Sequence, residues 1–237
     1  MRSKLFDPRF PEAGNGPYRL FRGVRRGLVE RWHHSLDAPV EAQQARLRAI
    51  LGQAVGTAFG ADHGLDGGED LEAWRRKVPI RGYDGHAPWM ERVHRGEARV
   101  LTQERVTGLL KTSGTTGACK LLPLTDALVE EVQAGQSLWR LALMRDHEGV
   151  TRGSALTIVS PAVESTLPSG LSVGNNTGRM QAAQPWYVKR RYAVPDWVVG
   201  IEDAEARVYA LLRFALQARI TSLTTANPST VLLLQRK

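Results

Sequence analysis

The 237-residue chain has one cysteine, Cys119, which excludes an internal disulfide framework and a cysteine-rich zinc site. Histidines offer no metal centre either. His33 and His34 are adjacent, so a helix points them in different directions, and His63 and His86 have no second ligand at metal spacing. No apolar run approaches the length that spans a membrane. The N-terminal stretch MRSKLFDPRFPEAGNG lacks an apolar segment and carries Asp7, Pro8, Pro11 and Glu12, so it does not read as a secretory signal. Together these absences point to a cytoplasmic protein. Neither an internal repeat nor a low-complexity segment is present. Acidic residues are in the minority: 32 Lys and Arg against 24 Asp and Glu leave a formal charge of +8. The cations are dispersed except around Arg19–Arg31 and Lys189–Arg191, and zinc-finger spacing and RNA-recognition aromatics are missing. That pattern argues against a nucleic-acid partner and for a solvated basic surface suited to an anionic small substrate.

What is present is ordinary for a globular protein, 42% apolar and 24% charged, in a chain long enough to bury a real core. In Tyr18–Leu36, Leu20, Val24, Leu28 and Trp32 recur every four residues, the stripe of an amphipathic helix docked on a core, with a basic outer face. A second helix is expected over Glu41–Phe59, burying Leu47, Ile50, Leu51, Ala54 and Val55. A short one follows at Leu71–Lys77. Pro79 and Pro88 bound a mixed extended segment. From Glu97 the pattern shifts to short extended runs, ARVLT and VTGLLKT, which read as strands about a turn. Thr125 caps a long helix from Asp126 to about Met144. SALTIVSPAV reads as a buried strand, STLPSGLSVGNNTGRM as loop, DAEARVYALLRFALQARI as a helix and TSLTTA as a strand. Asn227 and Pro228 open a last helix. Alternating strands and helices imply an α/β layer.

The chemistry-bearing stretch is KTSGTTGACK, Lys111–Lys120. Glycines let a backbone approach phosphate closely and expose successive N–H groups as an anion nest. Hydroxyls add donors, and a lysine supplies compensating charge. The stretch is not a Walker A motif: Gly114 and Gly117 are too close, and Lys120 is followed by Leu121 rather than Ser or Thr.

Thr112-Ser113-Gly114-Thr115-Thr116-Gly117-x-x-Lys120 resembles the phosphate loop of adenylate-forming enzymes, the superfamily of acyl-CoA synthetases and luciferase. A chance match in a chain this long is on the order of one in ten thousand at average residue usage. Cys119 stands where proline or an aliphatic residue is usual. The flanks GTAFGADHGL, VPIRGYDGHAPWMERVHRGEARVLT, PSGLSVGNNTGRM, YAVPDWV and TTANPSTVLLL are similar, in order, to one branch. That branch is the auxin-responsive promoter (Gretchen Hagen three) family of acyl-acid amido synthetases, and the likeness covers residues 41–237. The resemblance implies an α/β fold, the N-terminal portion of the large domain of an adenylate-forming enzyme, with helices packed on a mixed sheet. It implies ATP and Mg²⁺ as cofactors, and a small carboxylic acid and an amino acid as substrates. Thr112, Ser113, Gly114, Thr115, Thr116, Gly117 and Lys120 would bind the ATP phosphates, and the loop at 169–179 would line the acyl pocket. His86, Arg92 and Asn227 fall to loop and cap structure.

The family also carries an aromatic-x-Ser-Glu segment near adenine and magnesium, and an aspartate in a Tyr-Arg-x-Gly-Asp-like segment that holds the ribose. Here the nearest fragments, VEST and GYD, fit neither. Residues 1–40 are therefore expected to form an N-terminal extension with a basic helix. Residues 41–237 are expected to form a partial large adenylating domain carrying the phosphate loop at 112–120, without its C-terminal domain. On this reading the chain is a fragment, from an early stop, a frameshift or a split gene with a separately encoded C-terminal part. The alternative is a non-catalytic remnant that binds a polyanion or protein partner through its basic surface. ATP–pyrophosphate exchange by the isolated chain, assayed with a panel of aryl and alkyl acids, is expected to stay at background. Robust exchange would overturn the fragment reading.

Overall fold

A computed structural model of the chain describes residues 16–112 and 119–235. The single helix expected over Tyr18–Leu36 is two, α1 (Gly16–Val24) and α2 (Arg26–Asp37), which break at Arg25. Gly23 and Gly27 flank the break, and glycine inside a helix weakens it. The stripe does not dock as expected. Leu20 is 72% exposed and Val24 71%, and the buried residue of α1 is Tyr18.

Helix α3 (Pro39–Ala54) starts with proline in its first turn and is followed by Gly56 at φ +69. Its inward stripe is narrower than expected: Leu51 and Ala54 are buried, while Ile50 faces solvent. The expected run to Phe59 is instead a separate turn, α4 (Ala58–Asp62), capped by Thr57, whose Oγ1 accepts from Gly60 N at 3.0 Å. Helix α5 (Leu71–Lys77) forms as expected. Pro88 opens helix α6 (Ala87–His94) rather than bounding an extended segment. ARVLT makes no strand, and Arg99 lies in the left-handed region at φ +54.

Strands β1 (Gly108–Lys111) and β2 (Leu121–Leu124) follow, then helix α7 (Asp126–Asp146), with Leu128 N donating to Thr125 Oγ1 as the cap requires. Next come β3 (Ser154–Ile158), β4 (Ser165–Thr166), β5 (Ser172–Gly174), α8 (Asn176–Ala182), α9 (Trp186–Lys189), α10 (Ala204–Ala215), β6 (Ile220–Thr225) and α11 (Ser229–Gln235). The stretch 165–180, expected to be all loop, thus contains β4, β5 and most of α8. Pairing of β5 with β1 outweighs the weak strand propensity of its glycine and serine.

The chain divides into two compact units. The first comprises residues 30–132 and 164–174 and holds a four-stranded mixed sheet in the order β2-β1-β5-β4. β1 is antiparallel to β2 and parallel to β5, and β4 closes antiparallel on β5. Trp89 and Val93 of α6 pack with Val100, Leu109 of β1 and Val173 of β5. Leu109 is fully buried, a site where truncation to alanine costs about 2–5 kcal/mol. A smaller cluster joins Leu51, Ala54 and Leu65.

In the described part of the second unit, residues 16–29, 133–163 and 175–235, β3 and β6 pair in parallel. Residues 191–193 flank β3: Ala155 N donates to Arg191 O and Ala193 N donates to Ala155 O. Leu211 and Ala215 of α10 cover Leu156 of β3, together with Val194 and Val198. Asp203 caps α10, accepting from Ala206 N at 2.7 Å, and the Asn227 side chain accepts from Ser229 N ahead of α11. Gly178 in α8 is required sterically, because a Cβ there would lie 2.1 Å from Ser160 O.

One carboxylate organises the glycine-rich connection before α5. Glu69 is buried. Its Oε1 accepts from Asp66 N and from Lys77 Nζ (2.7 Å), and its Oε2 accepts from Gly67 N. The Lys77 ammonium is the main reason its pKa falls from 4.5 to about 2, against the opposing effect of burial. A carboxylate whose folded pKa is depressed stabilises fully above its unfolded pKa, and that stabilisation is lost as pH falls towards the folded value. Wild type should therefore lose stability relative to Glu69→Gln between about pH 4.5 and 2. Urea denaturation at pH 6 and pH 3 checks this: the advantage of wild type narrows at the lower pH.

Candidate functional site

The site is built on the β1–β2 hairpin. Their ladder runs Gly108↔Leu124, Leu109↔Pro123, Leu110↔Leu122 and Lys111↔Leu121. Beyond the ladder the pairing continues one step. Thr112 N donates to Lys120 O at 3.0 Å, and Lys120 N donates to Thr112 Oγ1 at 3.2 Å. The Cys119 thiol also donates to Thr112 O. Two hydrogen bonds to Lys120 and one to Cys119 thus close a neck at Thr112. Of the seven candidate phosphate-binding residues, Thr112 and Lys120 form this neck. Ser113, Gly114, Thr115, Thr116 and Gly117 lie outside the described residues.

The two lysines at the neck have different surroundings. Lys111 Nζ donates to Glu164 Oε2 at 2.9 Å, and this contact raises its pKa, holding it charged and neutralised. Lys120 has no carboxylate partner among the described residues. Its ammonium lies 5.5 Å from the centre of the Tyr83 ring, within cation–π range. The Tyr83 hydroxyl donates to Leu121 O at 3.0 Å and accepts from Leu121 N at 3.1 Å. An exposed, unneutralised ammonium at the root of a Ser/Thr/Gly segment is the arrangement an oligophosphate would use.

Other singled-out residues make local structural contacts. His86 Nδ1 contacts Gly82 O at 3.0 Å, Arg92 Nε donates to Glu97 at 2.9 Å, and Asn227 is a cap. His63 bonds Phe59 O and Arg81 and packs its ring 4.2 Å from that of Phe59. Among the described residues, no three His, Cys, Asp or Glu side chains come together to hold a metal ion. Arg179, within the stretch expected to line an acyl pocket, is half-buried on α8, and burial lowers its pKa. Sequence reasoning missed Tyr83 and Glu164. Tyr83 stands 37 positions before Lys120, and nothing local marks either residue as a neighbour of the loop.

Comparison with known proteins gives a consistent set of likenesses. The family model described as the GH3 family N-terminal domain matches residues 28–237. An indole-3-acetic acid-amido synthetase, GH3.8, from Oryza sativa subsp. indica is 32% identical over 157 residues, 63% of this chain and 26% of that protein. A 4-substituted benzoates-glutamate ligase, GH3.12, from Arabidopsis thaliana is 31% identical over 159 residues, 63% of this chain and 27% of that protein. The solved GH3.15 acyl acid amido synthetase superposes with a TM-score of 0.71 at 22% identity, over 83% of this chain and 35% of its own, a likeness of fold. The chain thus spans about a quarter to a third of the length of these three relatives. No helix among the described residues is long and apolar enough to cross a membrane.

Proposed function

The chain belongs to the GH3 family, with residues 28–237 matching its N-terminal domain, and from that premise we propose that it carries the ATP-phosphate-binding part of an acyl-acid amido synthetase. Residues 41–237 belong to the large adenylating domain, and the segment 112–120 is its phosphate loop. The reaction joins a small carboxylic acid to an amino acid. The carboxylate oxygen attacks the α-phosphorus of ATP and pyrophosphate leaves. The amine nitrogen then attacks the acyl carbonyl, a proton is lost and AMP leaves. Relatives named for indole-3-acetic acid and for 4-substituted benzoates favour an aromatic acid, and the ligase named for glutamate favours an amino acid acceptor.

The observation that carries this reading is the Lys120 ammonium, which has no carboxylate partner among the described residues, at the hydrogen-bonded neck of the Ser/Thr/Gly segment. Attack of one anion on another is slow unless charge is neutralised by groups already in place. Thr112 and Lys120 provide a fixed base for such groups, because the neck ties them to a buried strand. Mg²⁺ would lower the remaining charge on the phosphates. Such an ion keeps several waters and phosphate oxygens as ligands, which fits a site with few protein carboxylates.

ATP binding to the full chain, measured by calorimetry, tests the reading. Lys120→Ala should weaken ATP about tenfold or more, as loss of a charge-assisted contact does, and Thr115→Ala should weaken it several-fold. Equal affinity in wild type and both variants would overturn the reading. Binding of nucleic acid that falls steeply with salt, without ATP binding, would favour a polyanion-binding protein instead.

A further inference from the structure

We propose that Tyr83 is the positioning residue of the phosphate loop: its hydroxyl clamps the outer edge of β2 at Leu121 while its ring holds the Lys120 ammonium at the loop's root. The inference rests on the phosphate-binding role given above to 112–120.

The geometry follows from strand alternation. In a strand, successive residues direct their peptide groups to opposite sides. Lys120 O accepts from Thr112 N and Leu124 O accepts from Thr107 N, so these residues face β1. Leu121, one step along, turns its N–H and C=O to the outer edge of the sheet, since β2 ends the order β2-β1-β5-β4. Tyr83 Oη meets both groups, accepting at 3.1 Å and donating at 3.0 Å, and so satisfies the position that an additional strand would occupy. Because both bonds go to the residue after Lys120, they fix the backbone from which the lysine projects.

The ring acts on the side chain itself. A lysine has four rotatable carbons, and an exposed ammonium normally samples many rotamers. Placing Nζ 5.5 Å from the Tyr83 ring centre restricts that freedom without neutralising the charge, as a carboxylate would. Lys111, neutralised by Glu164, shows the contrasting arrangement nine residues earlier.

Tyr83 is itself rigidly mounted. It opens a single 3₁₀ turn, Tyr83–His86, that runs directly into α6. Trp89 and Val93 of that helix lie in the same core as Leu109 of β1. The root of the loop is therefore referred to the core along two routes: through β1 from inside the sheet and through Tyr83 from its edge.

Two measurements on the full chain test the assignment. The first needs no nucleotide. After reductive ¹³C-methylation, the Lys120 dimethylamine NMR signal, identified by its loss in Lys120→Ala, should lie upfield of an exposed lysine's through the ring current of Tyr83. The shift should persist in Tyr83→Phe and collapse in Tyr83→Leu. An unshifted signal in wild type, or one unchanged in Tyr83→Leu, would overturn the pairing.

The second is a double-mutant cycle on ATP affinity. Tyr83→Phe should weaken ATP about fivefold, and Tyr83→Leu about tenfold or more. In the Lys120→Ala background the leucine variant should add less than about twofold. Additive losses would overturn the positioning role and leave Tyr83 a general support of the fold. A ring-current shift in a wild-type chain that binds no ATP would instead remove the phosphate-binding reading, and Tyr83's part in it, while leaving the Tyr83–Lys120 contact intact.

Discussion

The pairing of β1 on both its sides is the constraint from which the candidate site derives. β1 has four residues, bonded antiparallel to β2 on one side and parallel to β5 on the other, with Leu109 fully buried beneath it. A strand bonded on both edges and buried on one face has no freedom to slip, because a one-residue shift would put Leu109 in solvent. The neck that follows inherits this register. Thr112 faces Lys120 because Lys111 faces Leu121. Anything bound between Thr112 and Lys120 is thus held on a rigid scaffold. That is what transition-state stabilisation by fixed charges requires.

Much of this was legible in local sequence. The helices α5, α7, α10 and α11 carry their own start signals: Asp70, Thr125, Asp203 and Asn227 each accept a backbone N–H near the start of the helix that follows. β3 and β6 announced themselves as apolar or β-branched runs. β5 and α8 did not, because their residues, Ser172–Gly174 and Asn176–Ala182, have composition typical of loops. β5 exists because β1 offers it an edge, and Gly178 is needed for close approach to Ser160, not for a turn. Both are tertiary facts with no local trace. The basic helix failed in the opposite way. Its apolar periodicity is genuine, yet Leu20 and Val24 remain exposed, since periodicity reports a face and not what covers it.

The candidate site divides along the same line. Its candidate residues were readable because hydroxyls, glycines and a lysine sit within nine residues. Its electrostatics were not, because they depend on partners far along the chain. Two lysines lie close together in the sequence, Lys111 just before the motif and Lys120 at its end. Glu164, 53 positions after Lys111, removes one of them as a free charge, and Tyr83 keeps the other available. A carboxylate beside Lys120 would have formed a neutralised pair like that of Lys111 with Glu164. An aromatic face orients a cation and leaves its charge to be used.

The outer edge of β2 extends this reasoning. An edge strand exposes peptide groups that invite pairing with another chain, and proteins blunt such edges with proline or with capping groups. Here the outward positions are Leu121 and Pro123. Pro123 has no N–H to offer, and both peptide groups of Leu121 are taken by the Tyr83 hydroxyl. The same two residues that close the edge also keep another strand from pairing alongside the loop root, where it would crowd Lys120. Proline in a strand normally reads as a defect. At this position it does the same job as Tyr83, which is why an LLPL segment is compatible with a well-ordered hairpin.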